Sequence, residues 1–446
     1  MKYRLLFSAA LVAAAAPAHA GKDDVYALVG AKVVTVSGAT LDSATVVMRD
    51  GVIEAVGAGV TPPRDARVID AKGWTLTPGL IDGFGGVGLP QAARGGQAGQ
   101  GGAAGGGGGQ AAAAAPLSPQ SLALDRIRVA DALRARDSGL TTALVIPREG
   151  VLPGKSVLID LVGDKVEGMA LKQPAALHLH MATLGRQYPS SLMGTMALAR
   201  QSLLDAAHYR DEWEAYEKSP AGKPRPKYEA AKAAWQDVLA GKQTLVVTAT
   251  RENDIRRALQ LQDEFKIKVA VAGAPQAHRL AGLIKERKLP LFVTVNFDPP
   301  RAAGGGFGGG GFGGGGDEEK EKKDIEDAER NPAELQRAGV TFALVSGHAP
   351  NFVAGIRKAI ERGLPRDAAL KAVTLTAAQL LGVADRTGSL EVGKLANVVA
   401  WTGEPLTREA KVKMVFVDGQ LYEPSEDERP EGRGGRPTPG GEEGRR

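Results

Sequence analysis

Two histidines separated by one residue, His178 and His180, are the side chains of this sequence best spaced to hold a metal ion. Residues two apart on a β-strand point to the same side, so both imidazole rings would face one zinc ion. A bound zinc ion lowers the pKa of a water molecule from ~15.7 to ~7 and supplies hydroxide at neutral pH. His348 offers a further imidazole as a base, because this side chain titrates near neutral pH. The alternative interpretation is that all three are partly buried histidines with ordinary hydrogen-bond partners.

Other reactive patterns in the sequence are weaker. The chain has no cysteine, which excludes thiolate chemistry, disulfide bonds and a lipid anchor attached through cysteine. Gly154-Lys155-Ser156 looks like the end of a phosphate-binding loop, but Glu149 stands where that loop requires a glycine. Serine is abundant without the glycine-flanked arrangement of a nucleophile elbow. A metal site and a binding pocket therefore remain the main hypotheses.

The first 20 residues have the pattern of a secretory signal peptide. Lys2 and Arg4 precede an apolar run over 5–16, and a small-residue ending closes the segment at Ala20. The apolar run is shorter than the ~20 residues that span a bilayer. We therefore expect cleavage after Ala20 and a periplasmic or secreted protein with no membrane anchor. The formal charge of +5 is spread over interspersed acidic and basic residues, which argues against a nucleic-acid partner.

Short strands dominate both ends of the chain, whereas strands and helices alternate in the middle. Residues 25–70 predict several strands with a hairpin turn at Asp50-Gly51, and residues 395–422 predict further short strands. Neither end can close a core alone, so the two should form one sheet domain. In the middle, buried strands such as 244–249 alternate with helical patterns such as 121–136, which indicates parallel βα units. This alternation predicts an α/β fold with a (β/α)8 TIM-like barrel.

Two low-complexity insertions interrupt the barrel pattern. Residues 94–115 and 303–316 consist almost entirely of glycine, alanine and glutamine, a composition that cannot offset its ordering entropy. Both follow predicted barrel strands, so both should be mobile and lie over the face where barrel active sites form. The tail over 423–446 is rich in proline, glycine, glutamate and arginine and is predicted to be disordered.

Two stretches of the sequence resemble the amidohydrolase superfamily. They are Thr-Pro-Gly-Leu-Ile-Asp at 77–82 and the long run over 372–397. The middle segment over 188–206 resembles an exported, imidazolonepropionase-like subgroup of the same superfamily. The resemblance implies a TIM-like barrel inserted into a small β-sandwich that both termini form. The implied division is a signal peptide over 1–20, a composite sandwich over 21–76 and 385–422, and a barrel over 77–384.

The resemblance also implies a metal site, and the expected ligands are replaced. In the superfamily a His-x-His pair after Ile-Asp ends the first barrel strand, but here those places hold Gly83 and Gly85. Later strands normally end in further histidines and in an aspartate that moves the proton of the metal-bound water. The corresponding degenerate pocket positions are Thr248, Gly273 or its neighbour Ala272, and Gly347 or His348. His178 and His180 lie outside these motifs and are weaker, alternative ligands.

Two functions compete on this reading. The first is a pseudoenzyme without catalytic or metal-binding residues and without a cofactor, which retains a pocket for a small molecule or pairs with a paralogous amidohydrolase subunit. The second is an active hydrolase of carbon-nitrogen bonds in amides or cyclic amides, excluding peptides. That hydrolase would use an atypical site around His178, His180 and His348, and it alone would require zinc.

Overall fold

The computed structural model describes residues 25–90, 117–184, 187–297 and 316–424. Its strands are β1 (Tyr26–Val34), β2 (Thr40–Arg49), β3 (Val52–Gly57), β4 (Arg67–Asp70), β5 (Trp74–Pro78), β6 (Leu80–Gly85), β7 (Leu140–Val145), β8 (Gly154–Lys155), β9 (Val157–Asp160), β10 (Ala170–Lys172), β11 (Ala176–His180), β12 (Thr244–Ala249), β13 (Val269–Gly273), β14 (Leu291–Thr294), β15 (Ala343–Val345), β16 (Val398–Thr402), β17 (Val412–Val417) and β18 (Gln420–Tyr422). Its helices are α1 (Val129–Leu133), α2 (Val166–Met169), α3 (Leu192–Lys218), α4 (Ala230–Ala233), α5 (Gln236–Leu239), α6 (Glu252–Phe265), α7 (Ala281–Glu286), α8 (Gly316–Arg337), α9 (Phe352–Glu361), α10 (Arg366–Ala372) and α11 (Leu375–Leu381). Short 3-10 turns span Ala123–Arg126, Arg134–Ser138 and Ala277–Leu280.

Several predicted segments lie outside the described residues. They are the signal peptide over 1–20, the insertion over 94–115, the insertion over 303–316 except its last residue, and the tail from 425 onward. Among the described residues, no helix is both long enough and apolar enough to cross a bilayer.

The strands from both ends of the chain form one sheet domain, as predicted. Its strand order is β18-β17-β16-β5-β1-β2-β3, with β4 paired to β1, so β5 joins the amino-terminal strands to β16 from the far end. Leu28, Leu76, Val398 and Phe416 are fully buried in its core. The predicted hairpin turn is present at Asp50-Gly51, where both residues have positive φ.

The barrel is a ring of mainly parallel strands. β6 lies parallel to β7, and β11 to β15 form a consecutive parallel series. Between these two groups the segment over 154–160 runs antiparallel, because β9 pairs with β7 and β8 pairs with β11. The ring closes where the Gly347 amide donates to the Phe84 carbonyl oxygen at 3.1 Å. The structure therefore has the α/β barrel that the sequence predicts, with one antiparallel member that the sequence did not reveal.

Side-chain alternation divides the barrel into an interior and a helix-covered exterior. Val246, Phe292 and Val345 lie in the interior cluster, whereas Leu177 and Val247 lie in the larger cluster beneath the helices. On α6 the apolar face that the sequence predicts, including Ile255, Ala258 and Leu261, is buried. Burial of a side chain such as Ile255 or Leu261 stabilises the fold by about 1.5–3 kcal/mol. The ring is therefore a filled core.

The helix predicted over 121–136 is wrong in extent. The structure has α1 flanked by two 3-10 turns there, and the backbone is extended at Leu122, Ile127 and Arg128. The Arg128 amide donates to the Gly88 carbonyl oxygen at 2.9 Å instead of continuing a helix. Contact with the loop after β6 thus overrides the local helical pattern. In contrast, the charged run from 317 continues as α8 to Arg337.

Candidate functional site at the carboxyl ends of the barrel strands

His178 and His180 lie side by side on the interior face of β11. The parallel register pairs His180 with Thr248 on β12, so a third polar side chain stands beside them. His178 is fully buried, and neither of its ring nitrogens has a hydrogen-bond partner. His180 Nε2 and Thr248 Oγ1 are also buried without a partner. The two histidines therefore alternate as expected. Three of their ring nitrogens lack hydrogen-bond partners, which is unusual for buried polar atoms.

His348 joins this pair from the opposite side of the barrel. It follows β15 in a turn where Gly347 has a φ of 59° and His348 a φ of 69°, a region that few non-glycine residues adopt. Its amide donates to Ser346 Oγ at 3.2 Å, whereas its ring Nδ1 is buried without a partner. The Phe84 ring lies 5.5 Å from the His348 ring and 6.1 Å from the His178 ring, measured between centroids. Phe84 thus packs against both His178 and His348.

Burial keeps all three imidazoles neutral. It lowers the pKa of His178 well below its usual value, and the neighbouring His180 and His348 lower it further. Burial lowers the pKa of His180 to about 4, partly opposed by a hydrogen bond to the Gly150 carbonyl oxygen. Burial and then Arg148 and His180 lower the pKa of His348 to about 3. At neutral pH the three rings are therefore uncharged donors and acceptors.

The arrangement does not fit the metal ion that the fold implies. In the described parts of the chain, no three histidine, cysteine, aspartate or glutamate side chains are placed so that they could hold a metal ion. The three neutral rings have suitable nitrogen atoms, and two of them, those of His178 and His348, pack against Phe84. A tetrahedral zinc site requires ligand atoms at about 2.0–2.1 Å from one centre.

The space beside Gly83 and Gly85 is occupied by neighbouring side chains. A Cβ atom on Gly83 would lie 3.0 Å from ring carbons of Phe292, in the barrel interior. A Cβ atom on Gly85 would lie 2.2 Å from Asp82 Oδ2 and 3.1 Å from Ser346 Oγ. The pairing of β6 with β7 is irregular between Asp82 and Gly85, so simple alternation fails there.

This irregularity corrects the expected orientation of Phe84. Strand alternation predicts that Phe84 points away from the pocket, between two inward-facing glycines. Instead Phe84 belongs to the interior cluster and contacts the histidines, while Gly85 faces the Asp82 carboxylate. Side chains at positions 83 and 85 would therefore not point toward one shared metal ion.

The other predicted pocket positions separate into two groups. Thr248 and His348 do reach the histidine cluster. Gly273 and Gly347 are turn residues with positive φ, and a Cβ atom on either would approach the Ala249 carbonyl oxygen or the Thr294 hydroxyl. Of the alternatives at the end of β13, Ala272 is the one that lies in the barrel interior.

Arg148 is the member of the site that sequence reasoning missed. It follows the end of β7, is half-buried, and its Nε atom is buried without a partner. A Cβ atom on Gly86 would lie 2.4 Å from Arg148 Nη2 and 2.7 Å from both Arg148 Nε and His348 Nδ1. The available signal was its position, because an arginine directly after a buried barrel strand stands at the active-site face.

A cleft opens beside Arg148 at this end of the barrel. It has a volume of about 380 Å³ and is lined by Leu89, Pro90, Arg126, Pro147, Arg148 and Glu149. This volume is within the range of about 300–1,000 Å³ that small-molecule sites occupy. Burial lowers the pKa of the Arg148 guanidinium, but the group stays charged at neutral pH.

Comparison with known proteins connects this geometry to a family. A profile of the amidohydrolase family matches residues 317–422. The fold is similar to the crystal structure of an amidohydrolase from Thermotoga maritima MSB8, with a TM-score of 0.75 and 24% identity over 89% of this chain and 99% of that one. Over residues 317–422 the chain is therefore similar to the amidohydrolase family. Its barrel with a terminal β-sandwich is the fold of the Thermotoga maritima amidohydrolase.

Similarity to individual enzymes is partial. An imidazolonepropionase from Erwinia tasmaniensis is 36% identical over 105 residues, which are 22% of this chain and 25% of that enzyme. A dihydroorotase from Anaeromyxobacter dehalogenans is 42% identical over 59 residues, or 13% of this chain and 14% of that enzyme. This chain thus matches about a quarter or less of the length of these relatives.

Proposed function

We propose that this amidohydrolase-superfamily protein is an exported pseudoenzyme that binds a small molecule in the cleft at the carboxyl ends of its barrel strands. The observation that carries the proposal is the filled space at the first barrel strand. Phe292 stands against Gly83, and the Asp82 carboxylate stands against Gly85, where the superfamily resemblance implies metal ligands. The proposal requires no cofactor, and the signal-peptide pattern over 1–20 supports export.

The cleft supports binding better than turnover. It has charged and apolar walls and a volume suited to a small molecule. The neutral His178 and His348 rings pack against Phe84, and without a metal ion a neutral imidazole has little hydroxide to deliver at neutral pH. A paralogous amidohydrolase subunit is a second class of partner for such a protein, and it would co-purify with this chain.

Metal analysis tests the proposal directly. The full chain, purified after incubation with zinc and gel filtration, should hold well below one equivalent, and His178→Ala should not change that value. Retention of about one equivalent that is lost in both His178→Ala and His180→Ala would overturn the proposal. Amino-terminal sequencing of protein from the periplasm or medium tests export, with Gly21 as the expected first residue.

An active carbon-nitrogen hydrolase is the second candidate, and one observation favours it. His178, His180 and His348 carry four ring nitrogens that are buried without partners. Unsatisfied buried polar atoms are typical of functional sites. Hydrolysis of a cyclic amide that disappears in both His178→Gln and His348→Gln variants, with their folding intact, would support this candidate over the first.

A further inference from the structure

We propose that the cleft beside Gly86 binds the carboxylate of a small organic anion, with the Arg148 guanidinium as its anchor and the His348 imidazole beside it. The inference rests on the proposed function, since it names the ligand class of that same cleft. It is carried by four observations, concerning charge, shape, the neighbouring hydrogen-bonding group and the wall of the cleft.

Arg148 is a cation whose nearby acids are engaged elsewhere. The adjacent Glu149 pairs with Arg126 at 3.4 Å across the same cleft. The buried Asp82 carboxylate, on the next strand, accepts hydrogen bonds from Ser346 and Phe84. Within the described residues Arg148 has no ion pair or hydrogen bond. A half-buried guanidinium is stabilised by a group that supplies negative charge, so its place beside the cleft points to an anionic ligand.

The absent side chain of Gly86 lets the Arg148 guanidinium and the His348 ring lie close together. Gly86 has no side chain, and the guanidinium Nη2, its Nε and His348 Nδ1 all lie within 2.7 Å of the point where a Cβ atom would stand. Any other residue at this position would displace the guanidinium or the imidazole. The glycine therefore brings two nitrogen groups, which come from loops after β7 and β15, to one place.

His348 is neutral, so it does not repel the neighbouring Arg148 guanidinium as a second cation would. With its ring uncharged, His348 Nδ1 donates or accepts one hydrogen bond according to its tautomer, without repelling the guanidinium. A guanidinium presents paired N–H donors whose spacing matches the two oxygens of a carboxylate. A bidentate contact from Arg148 would satisfy both oxygens of such a group.

The remaining wall of the cleft indicates the body of the ligand. Leu89, Pro90 and Pro147 line it with apolar surface, while the Arg126–Glu149 pair closes it with balanced charge. A flat or aliphatic organic group would bury this surface. A carboxylate with an apolar body therefore fits better than inorganic phosphate, which has no body to bury.

Calorimetric titration of the full mature chain with sodium benzoate tests the inference, with benzamide and inorganic phosphate as matched probes. We expect benzoate to bind at least about tenfold more tightly than benzamide, because a charge-assisted bidentate contact is worth more than about 1.4 kcal/mol. Arg148→Gln should weaken benzoate binding by at least about tenfold, and Arg148→Lys should be intermediate because it keeps the charge without the paired donors. Arg134→Gln, at an exposed arginine that does not line the cleft, should stay within about threefold.

A variant that keeps the arginine guards against a simple folding defect. Gly86→Ala should also weaken benzoate binding, because its Cβ atom displaces the guanidinium, while circular dichroism confirms the fold. The inference is overturned if Arg148→Gln binds benzoate as tightly as the parent, or if the parent shows no binding at about 10 mM benzoate. It is also overturned if the parent binds benzamide as tightly as benzoate, or phosphate more tightly than benzoate. If benzoate binding instead disappears with a chelator and persists in Arg148→Gln, the proposed function fails as well. Absent binding in a zinc-free protein overturns only the inference.

Discussion

The Asp82 carboxylate and Ser346 join the first barrel strand to the turn that follows the last. Ser346 Oγ donates to Asp82 Oδ2 at 2.6 Å, and the Ser346 amide donates to Asp82 Oδ1 at 3.0 Å. Burial raises the pKa of Asp82, while the hydrogen bonds from Ser346 and the Phe84 amide lower it. This contact closes the ring directly beneath Phe84 and the histidines, and it occupies the space beside Gly85.

Gly85→Ala should be strongly destabilising for this reason. The new methyl group would lie 2.2 Å from Asp82 Oδ2, so the carboxylate must leave Ser346 while it remains buried. We expect a loss of about 2–4 kcal/mol in the free energy of unfolding, measured in urea. Gly282→Ala is the matched control, because this exposed helical glycine has no atom within 4 Å of the added methyl group. The control should be neutral or stabilising by up to about 1 kcal/mol, and equal effects of the two substitutions would contradict the role of Asp82.

Installing histidines at the first strand should create a zinc site only after Phe292 is shortened. From the sequence alone, Gly83→His with Gly85→His and Thr248→His would place three imidazoles near one ion. In the structure the Phe292 ring lies 3.0 Å from the Cβ position of Gly83. We therefore expect no added zinc for the Gly83→His and Thr248→His pair, and a measurable gain when Phe292→Ala is included. Zinc uptake without the Phe292 change would contradict the conclusion that the Phe292 ring blocks the space beside Gly83.

The sequence predicted the architecture but only part of the site, for physical reasons. The hairpin at Asp50-Gly51 and the buried face of α6 follow local rules of turn chemistry and periodicity, and both are present. The orientation of Phe84 depends on an irregular strand pairing that no two-residue alternation reveals. The approach of Arg148 to His348 joins residues 200 positions apart through the absent side chain of Gly86, which has no local sequence pattern.

Acidification should destabilise the protein through its buried histidines. The pKa of His348 is lowered to about 3 by burial and then by Arg148 and His180, so the folded protein takes up its proton far below the unfolded value of about 6.5. Stability from this group is therefore present above about pH 6.5 and is lost as the pH falls toward about 3. His348→Asn, which tolerates positive φ, should reduce the loss of unfolding free energy between pH 7.5 and 5 by about 1–2 kcal/mol.

Two acidic side chains, the buried Asp160 and the half-buried Asp418, lie where the barrel meets the sheet domain. Asp160 accepts from Thr142 Oγ1 at 2.6 Å and from Asn397 Nδ2 at 3.2 Å, and the Asp418 amide donates to Asn397 Oδ1 at 2.9 Å. Burial raises the pKa of Asp160 well above its usual range, and the charge of Asp418 raises it further. The folded protein therefore holds this proton more tightly than the unfolded chain, so stability falls as the pH rises through the folded pKa.

Asp418→Asn should stabilise the protein increasingly with pH. The amide removes the repulsion and offers an N–H donor to the Asp160 carboxylate, and asparagine tolerates the φ of 47° at this turn. We expect a gain of about 1 kcal/mol in the free energy of unfolding at pH 8 and almost none near pH 4. Asp50→Asn is the matched control. Asp50 has a φ of 50° and also precedes a turn glycine, but its side chain is exposed. Since both substitutions change turn propensity equally, only the pH-dependent part of the difference reports the acidic pair, and a gain that does not vary with pH would show that Asp160 and Asp418 do not share a proton.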